Sequence, residues 1–323
     1  MRVLLDTTFA LRGPSGTGVY VREIAGALRS IGVDVVEAAN ARRPAPGGGG
    51  WRSARNLALD RLWTAAELPR RARRAGADVL HHPLPALAPP RSAGVAQVVT
   101  VHDLAFEALP EAFDPRFAAW ARRAHRRAAR GADAVVAVSE ATARDVRARW
   151  GLRDVVVAPH GPGQPLPAVP RGAPCHFLYV GDDEPRKDLA ALRAAHASLG
   201  ADAPPLVVAG SAGHRCTPRE LASLHAHAIA LVHPSRHEGF GLTVLEAMAV
   251  GTPVVARRTP ALEEVGGDAV LFADDLAAGM REAQARHAEL SARGRARAAA
   301  FTWEAAARAH LRAYALAVER HAR

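Results

Sequence analysis

The sequence predicts an α/β chain built as two doubly wound halves. Three observations carry that expectation. The run from 228 to 256 has the order strand, glycine turn, helix, strand. The same alternation of short apolar strands with helical stretches recurs on both sides of a Pro/Gly-rich segment, 159–174. At 323 residues the chain is also long enough for two cores.

Within the first of these, residues 228–232 are an apolar strand that Pro234 stops. Gly239 and Gly241 flank Phe240 in a tight turn that lets backbone approach a ligand. Residues 243–250 contain no breaker and place Leu245 and Met248 on one face with Leu242, as in a short helix. Gly251 ends it and Pro253 opens the next strand. Two carboxylates stand here: Glu238 in the loop at the strand's C-terminal end, where α/β sheets bind ligands, and Glu246 eight residues on, in the helix. A solvated loop glutamate and a solvated helix glutamate would give the same spacing.

Composition narrows the classes. Hydrophobic residues make up 49% and charged residues 23%, as in globular proteins. No apolar run reaches a membrane span, and the first strand, 2–6, is too short for a secretory signal. Cys175 and Cys216 alone give no disulfide framework and suit a reducing cytoplasm. The net charge of +10 admits nucleic acid, anionic lipid or phosphate-bearing substrates. Yet the basic residues are almost all Arg in an Ala-rich chain, a bias of a GC-rich bacterial genome. Lys187 is the lone lysine, and an ammonium is a compact point charge. No aromatic-interleaved basic patch points to nucleic acid.

In chain order, a glycine loop over 13–18 precedes a helix over 19–30, which is the layout of a phosphate cradle. It lacks the P-loop Lys-Ser/Thr, and a loop without ligand would read the same. Residues 33–36 form the second strand and 42–50 a Pro/Gly loop. Residues 51–76 are helical, Arg-rich and interrupted at Pro69, either a solvated face or a membrane-docking one. Strands over 78–82 and 96–101 deliver His81, His82 and His102 to the ligand side of a sheet. A helix over 114–130, a strand over 132–139, Ser139 as N-cap of the next helix, and a strand over 155–158 complete the first half. The linker 159–174 holds six prolines and three glycines. The second half opens with a strand over 176–180. Arg186 and Lys187 follow where a helix begins, and two cations there are unfavourable unless an anion joins them. Helices over 280–300 and 302–320 close the chain.

Glu238-Gly-Phe-Gly-Leu with Glu246-Ala-Met-Ala-x-Gly-x-Pro-Val-Val-Ala resembles the retaining glycosyltransferases of group 1, family four. Their GT-B fold has two Rossmann-like domains facing across a cleft. Val-Val-Thr-Val-His102-Asp-Leu, Gly16-Thr17-Gly18-x-Tyr20 and Glu-Pro-Arg186-Lys187-Asp-Leu resemble further segments of that family. The resemblance implies an acceptor-side domain over 1–160, a nucleotide-sugar domain over 175–300, and a last helix over 301–323 returning to the first domain. It implies catalytic roles for His102 and Glu238, both close to the transferred sugar, with His82 secondary. Glu246 would hold the ribose. Arg186 and Lys187 would hold the diphosphate, with Gly16, Thr17 and Gly18 beside it and the turn Gly239, Phe240, Gly241, Leu242 lining the site.

The activity implied is transfer of a mannose- or glucose-like hexosyl unit from a nucleotide-diphosphate sugar to a glycan, lipid or small-molecule acceptor, with retention. No D-x-D motif is present, so the cations replace a metal and no cofactor is expected. Closure about 159–174 would exclude water. The cytoplasm, with peripheral contact to the inner membrane face, is the expected location. Two departures stand out: Asp182 replaces the Arg common after the glycine, and only 211–217 remains where relatives carry another helix and strand near the base. A weakly active sugar-nucleotide binder, or an epimerase or phosphorylase on this fold, are the alternatives.

Overall fold

Short runs of valine, leucine and alanine, buried on both faces, are what parallel sheets require, and two such sheets organise the chain. The computed structural model describes residues 1–11, 15–42, 50–89, 94–211 and 213–323, with only the backbone at 50–54 and 57. Gly13 and Pro14 of the glycine loop, residues 43–49 of the Pro/Gly loop and the side chains of Trp51, Arg52 and Leu57 therefore lie outside the described residues.

The chain divides into two compact units. The first comprises Met1–Leu104, Arg116–Gly161 and Trp303–Arg323. Its strands are β1 (Arg2–Asp6), β2 (Asp34–Ala38), β3 (Val79–His82), β4 (Ala96–Val101), β5 (Ala134–Ala137) and β6 (Val155–Val157). They lie in the order β2-β1-β3-β4-β5-β6, all parallel. Helix Gly16–Ser30 buries Tyr20, Ile24 and Leu28 against Val3 and Leu5, and helix Trp303–His321 adds Ala306, Ala313 and Tyr314 to the same core. Its row of alanines lets that helix lie close to the sheet.

The second unit comprises Ala105–Pro115 and Pro162–Thr302. Its strands β7 (His176–Val180), β8 (Leu206–Ala209), β9 (Ala228–His233), β10 (Val254–Ala256) and β11 (Leu271–Phe272) lie in the parallel order β11-β10-β9-β7-β8. Phe177, Tyr179, Val232 and Met280 form its core.

Several sequence expectations need correction. Gly16, Thr17 and Gly18 are the first turn of a helix, not a loop, because the Ser15 side chain caps the Gly18 N–H and sets the start at Gly16. Residues 280–300 are parts of two helices, Leu276–Ala285 and His287–Ala298, which meet at Arg286. That guanidinium ties Glu282 to Glu289 across the break. Residues 105–115 pack with the second unit, where Glu111 pairs with Arg236 at 2.7 Å. Most of the linker also belongs to that unit. Between β8 and helix Pro218–Ala226 an isolated bridge, Ala209 to His214, is the only pairing among the described residues.

Both sheets have a topological switch point, where neighbouring strands send their connections to opposite sides and open a crevice at their carboxyl ends. In the second unit it lies between β7 and β9, and in the first between β1 and β3.

Candidate active site

The two loops that meet at the β7/β9 switch point carry Arg186 and Lys187 on one side and Glu238 on the other. A backbone bond from Arg236 N–H to Arg186 C=O, 2.8 Å, joins the loops. Arg186 and Lys187 occupy a short 3-10 turn, Pro185–Lys187. Asp188 then turns left-handed (φ 49°), and its side chain accepts the Ala191 N–H to start helix Leu189–Ala197. Asp tolerates this conformation better than most side chains. Arg257 holds the other Asp188 oxygen at 2.5 Å.

Lys187 Nζ donates to Glu238 Oε1 at 2.6 Å, and His233 Nε2 donates to the same oxygen at 2.9 Å. Arg186 Nη1 stands 3.8 Å from it, while Arg186 Nε donates to Glu184 at 2.7 Å. The side chains of Lys187 and Glu238 are 13% and 10% exposed, so the pair is held nearly out of water. Burial pushes the Glu238 carboxyl up, but Lys187, the His233 bond and Arg186 outweigh it and hold the group well below the usual carboxylate range. Burial pushes His233 below its ordinary value, and Glu238 offsets only part of that. An ionised carboxylate against a neutral imidazole fixes the Nε2–H tautomer. All three contacts fall on Oε1. Among the described residues none bonds Oε2, which leaves that oxygen to accept a hydroxyl.

Gly241 (φ 101°) precedes helix Leu242–Val250, which has no side-chain cap. A Cβ on Gly241 would also lie 2.4 Å from Leu262 Cδ2, so conformation and space both demand glycine. The uncapped N–H groups of Leu242 and Thr243 suit an anion. Gly239 and Phe240 are buried, and Phe240 meets Phe301 edge-on at 6.0 Å, so its ring serves packing. Glu246 lies one turn into the helix and accepts the Gln164 N–H at 3.1 Å. Burial, partly offset by that bond, pushes its carboxyl up to about 7.

In the first unit His102 Nε2–H donates to the Pro83 C=O at 2.9 Å, which leaves Nδ1 as the acceptor. Burial lowers its pKa. His82 Nε2 lies 3.2 Å from Gln97 Oε1, an oxygen identified by its bond from Ala88 N–H. Tyr20 packs edge-on to His102 with centroids 4.9 Å apart. A buried chain of hydrogen bonds stands behind it. His310 Nδ1–H donates to Ala306 C=O at 2.8 Å, so its Nε2 must accept from Tyr20 Oη, 2.7 Å away. Tyr20 then accepts from Thr100 Oγ1 at 2.9 Å, and Thr100 from His81 Nε2–H at 2.8 Å. His81 Nδ1 accepts from Tyr314 Oη at 2.8 Å. Each donor and acceptor is used in one direction, with both imidazoles neutral.

Arg186, Lys187 and Glu238 thus come together, with Glu246 in the helix that follows. The anchoring role of His233 and the polar chain behind Tyr20 escaped sequence reasoning. A histidine ending a fully apolar strand was the one available signal for His233.

Two parallel sheets, with cations and a carboxylate gathered at one switch point, define a doubly wound α/β protein with a charged crevice at the carboxyl ends of its strands. Residues 14–162 match the family described as Glycosyltransferase Family 4, and residues 164–288 that described as Glycosyl transferases group 1. The chain belongs to the group 1, family four glycosyltransferases. It is 31% identical over 195 residues to the O-antigen chain mannosyltransferase B of Escherichia coli, covering 49% of this chain and 51% of that protein. It is 40% identical over 113 residues to a D-inositol 3-phosphate glycosyltransferase of Xylanimonas cellulosilytica, covering 32% of this chain and 27% of that one. The chain therefore aligns with about half or less of the length of these relatives. A sucrose-phosphate synthase structure from Thermosynechococcus elongatus superposes with a TM-score of 0.75 at 20% identity, covering 98% of each chain. The structure of Anabaena HepE in complex with UDP and glucose gives 0.66 at 15% identity, covering 97% of this chain and 98% of that chain. These likenesses establish the GT-B fold. No helix among the described residues is long and apolar enough to cross a membrane.

Proposed function

We propose that the chain transfers a hexosyl unit from a nucleotide-diphosphate sugar to an acceptor hydroxyl with retention, without a divalent metal. The observation that carries this reading is the buried Arg186–Lys187–Glu238–His233 cluster at the β7/β9 switch point. Names among the relatives, mannosyltransferase and inositol-phosphate glycosyltransferase, support a sugar donor, and the UDP and glucose bound to HepE support a nucleotide diphosphate.

Lys187 and Arg186 bind the diphosphate together with the N–H groups of Leu242 and Thr243. The bond from the anomeric carbon to the phosphate oxygen breaks as the acceptor oxygen bonds to the same face. The departing diphosphate takes the acceptor's proton and keeps the bonding electrons. Fixed positive groups aimed at the charge that forms there lower the barrier. Glu238 Oε2 accepts a hexose hydroxyl and Glu246 the ribose hydroxyls.

Purified protein is screened by thermal shift against UDP- and GDP-hexoses with EDTA present, since a bound donor raises stability by mass action. The expected result is a shift with one donor, lost in Lys187→Ala, and an α-linked product from that donor. Binding without transfer to any acceptor would leave a sugar-nucleotide binder instead. An isomerised donor would make it an epimerase.

A further inference from the structure

The first sheet has its own crevice, at the β1/β3 switch point, and it opens into a cavity of about 1440 Å³. Asp6, Thr8 and Phe9 enter it from the end of β1, and residues 82–89 from the end of β3. Helix Pro115–Gly131 lines it from Trp120 to Gly131, which at 1.5 Å per residue is about 17 Å of wall. At Gly131 a Cβ would come within 2.7 Å of Leu87 Cδ2, so the loop after β3 closes on the end of that helix. The cavity is long, and Trp63, Leu84, Leu87, Ala124, Ala128 and prolines give it an apolar side beside its charged residues.

The charged lining is one-sided. Arg61, Arg123, Arg126, Arg127 and Arg130 line it against only two acids, Asp6 and Asp60. Asp6 is already engaged by the Thr8 N–H and hydroxyl and by Trp63 Nε1. Arg130 Nε donates to the Trp150 C=O. Among the described residues, Arg123, Arg126 and Arg127 have no carboxylate partner. Arg123 and Arg127 are four apart on the helix, so they project from one face. A further feature is His82, 1% exposed, which lines the cavity. Its Nε2–H is committed to Gln97, and its Nδ1 has no partner. A buried acceptor left bare costs roughly 1–3 kcal/mol, which a ligand hydroxyl would relieve.

We propose that this cavity binds the acceptor as an anionic amphiphile. An apolar chain lies along Trp63, Leu84 and Leu87, a phosphate-class head group pairs with Arg123 and Arg127, and a hydroxyl reaches His82 Nδ1. Only the word acceptor rests on the glycosyltransfer reading; the binding chemistry stands on the cavity alone. The chemistry is shared by a lipid of an anionic bilayer and by a free phosphorylated amphiphile.

The test is calorimetric titration of the full chain with monomeric dodecyl phosphate, dodecyl maltoside and inorganic phosphate. Saturable one-to-one binding of dodecyl phosphate is expected, with the other two at least tenfold weaker. Ala124→Phe, which fills the cavity from the helix, and the double variant Arg123→Ala/Arg127→Ala, which keeps the packing, should each weaken it at least tenfold. UDP-glucose binding in the second unit is measured on the same samples. Dodecyl phosphate binding that does not saturate, or that neither variant changes, overturns the proposal. UDP-glucose binding without amphiphile binding defeats the cavity assignment alone. Amphiphile binding with no UDP- or GDP-hexose bound defeats the glycosyltransfer reading alone. Pelleting with phosphatidylglycerol but not phosphatidylcholine vesicles, lost in both variants, makes a bilayer lipid the source. Binding of the monomer without such pelleting makes it a free amphiphile.

Discussion

Replacing Glu238 by glutamine should separate recognition of the diphosphate from recognition of the sugar. In the ligand-free protein Lys187 is committed to Glu238 at 2.6 Å, so a diphosphate must compete for that ammonium. A charge-assisted bond of this kind contributes about 1.5–3 kcal/mol net, and a neutral one about 1. Glutamine keeps the shape and an acceptor oxygen but releases about 1–2 kcal/mol of that competition. UDP, which makes no sugar contact, should therefore bind roughly tenfold tighter to Glu238→Gln, at about 1.4 kcal/mol per tenfold. UDP-glucose gains the same on its phosphates but loses an ionised acceptor for its hydroxyl, so its affinity should stay level or fall. The preference for UDP-glucose over UDP then drops by about 10- to 100-fold. Titration calorimetry of both ligands with both proteins reads this directly. Equal changes for the two ligands, in the same direction, would refute the placement of Glu238 at the sugar.

The other predictions concern charge and protonation. Lys187→Ala leaves Glu238 with Arg186 at 3.8 Å and His233 at 2.9 Å, so it should cost about 2–3 kcal/mol, less than a fully buried pair because the lysine is 13% exposed. Burial holds His233 below its unfolded value, so the intact protein loses stability as pH falls below about 6.5. Removing Lys187 takes away one of the charges that lower it and lessens that loss, so thermal melts should show a larger penalty for the variant at pH 8 than at pH 6. Glu246, pushed up to about 7, is mostly protonated at pH 6 and mostly ionised at pH 8. UDP-glucose should bind up to about tenfold tighter at the higher pH, and Glu246→Gln should flatten the profile. Burial lowers His310 to about 4 and His81 well below its ordinary value. The unfolded chain takes up these protons first. Stability from the Tyr314–His81–Thr100–Tyr20–His310 chain is therefore complete above about pH 6.5 and lost as pH falls towards 4, about 3 kcal/mol for His310 alone, as chemical unfolding at pH 7 and pH 5 would show.

Much of the second unit was legible because its chemistry follows local punctuation. Lys187 and Glu238 are 51 residues apart, yet each follows an apolar strand and precedes a helix, and parallel topology puts two such loops side by side. Ser139 capped its helix as its position implied, accepting the Thr142 N–H. What the sequence hid was decided by packing or by distant polar partners. The low helix propensity of Gly16 and Gly18 suggested a loop, but one serine cap overrode it. No glycine or proline marks the break at Arg286, which ion pairs bridge instead. Tyr20 and His310 are 290 residues apart, and their bond has meaning only once a buried hydroxyl must find an acceptor. The grouping of residues 105–115 with the second unit, where Glu111 meets Arg236, had no sequence signal.

The most direct measurement is a crystal structure of the protein soaked with a nucleotide-diphosphate sugar that it binds. The diphosphate is expected within hydrogen-bonding distance of Arg186 and Lys187, with Lys187 withdrawn from Glu238 and a hexose hydroxyl on Glu238 Oε2. A diphosphate bound elsewhere, with the Lys187–Glu238 pair intact beneath solvent, would contradict this placement.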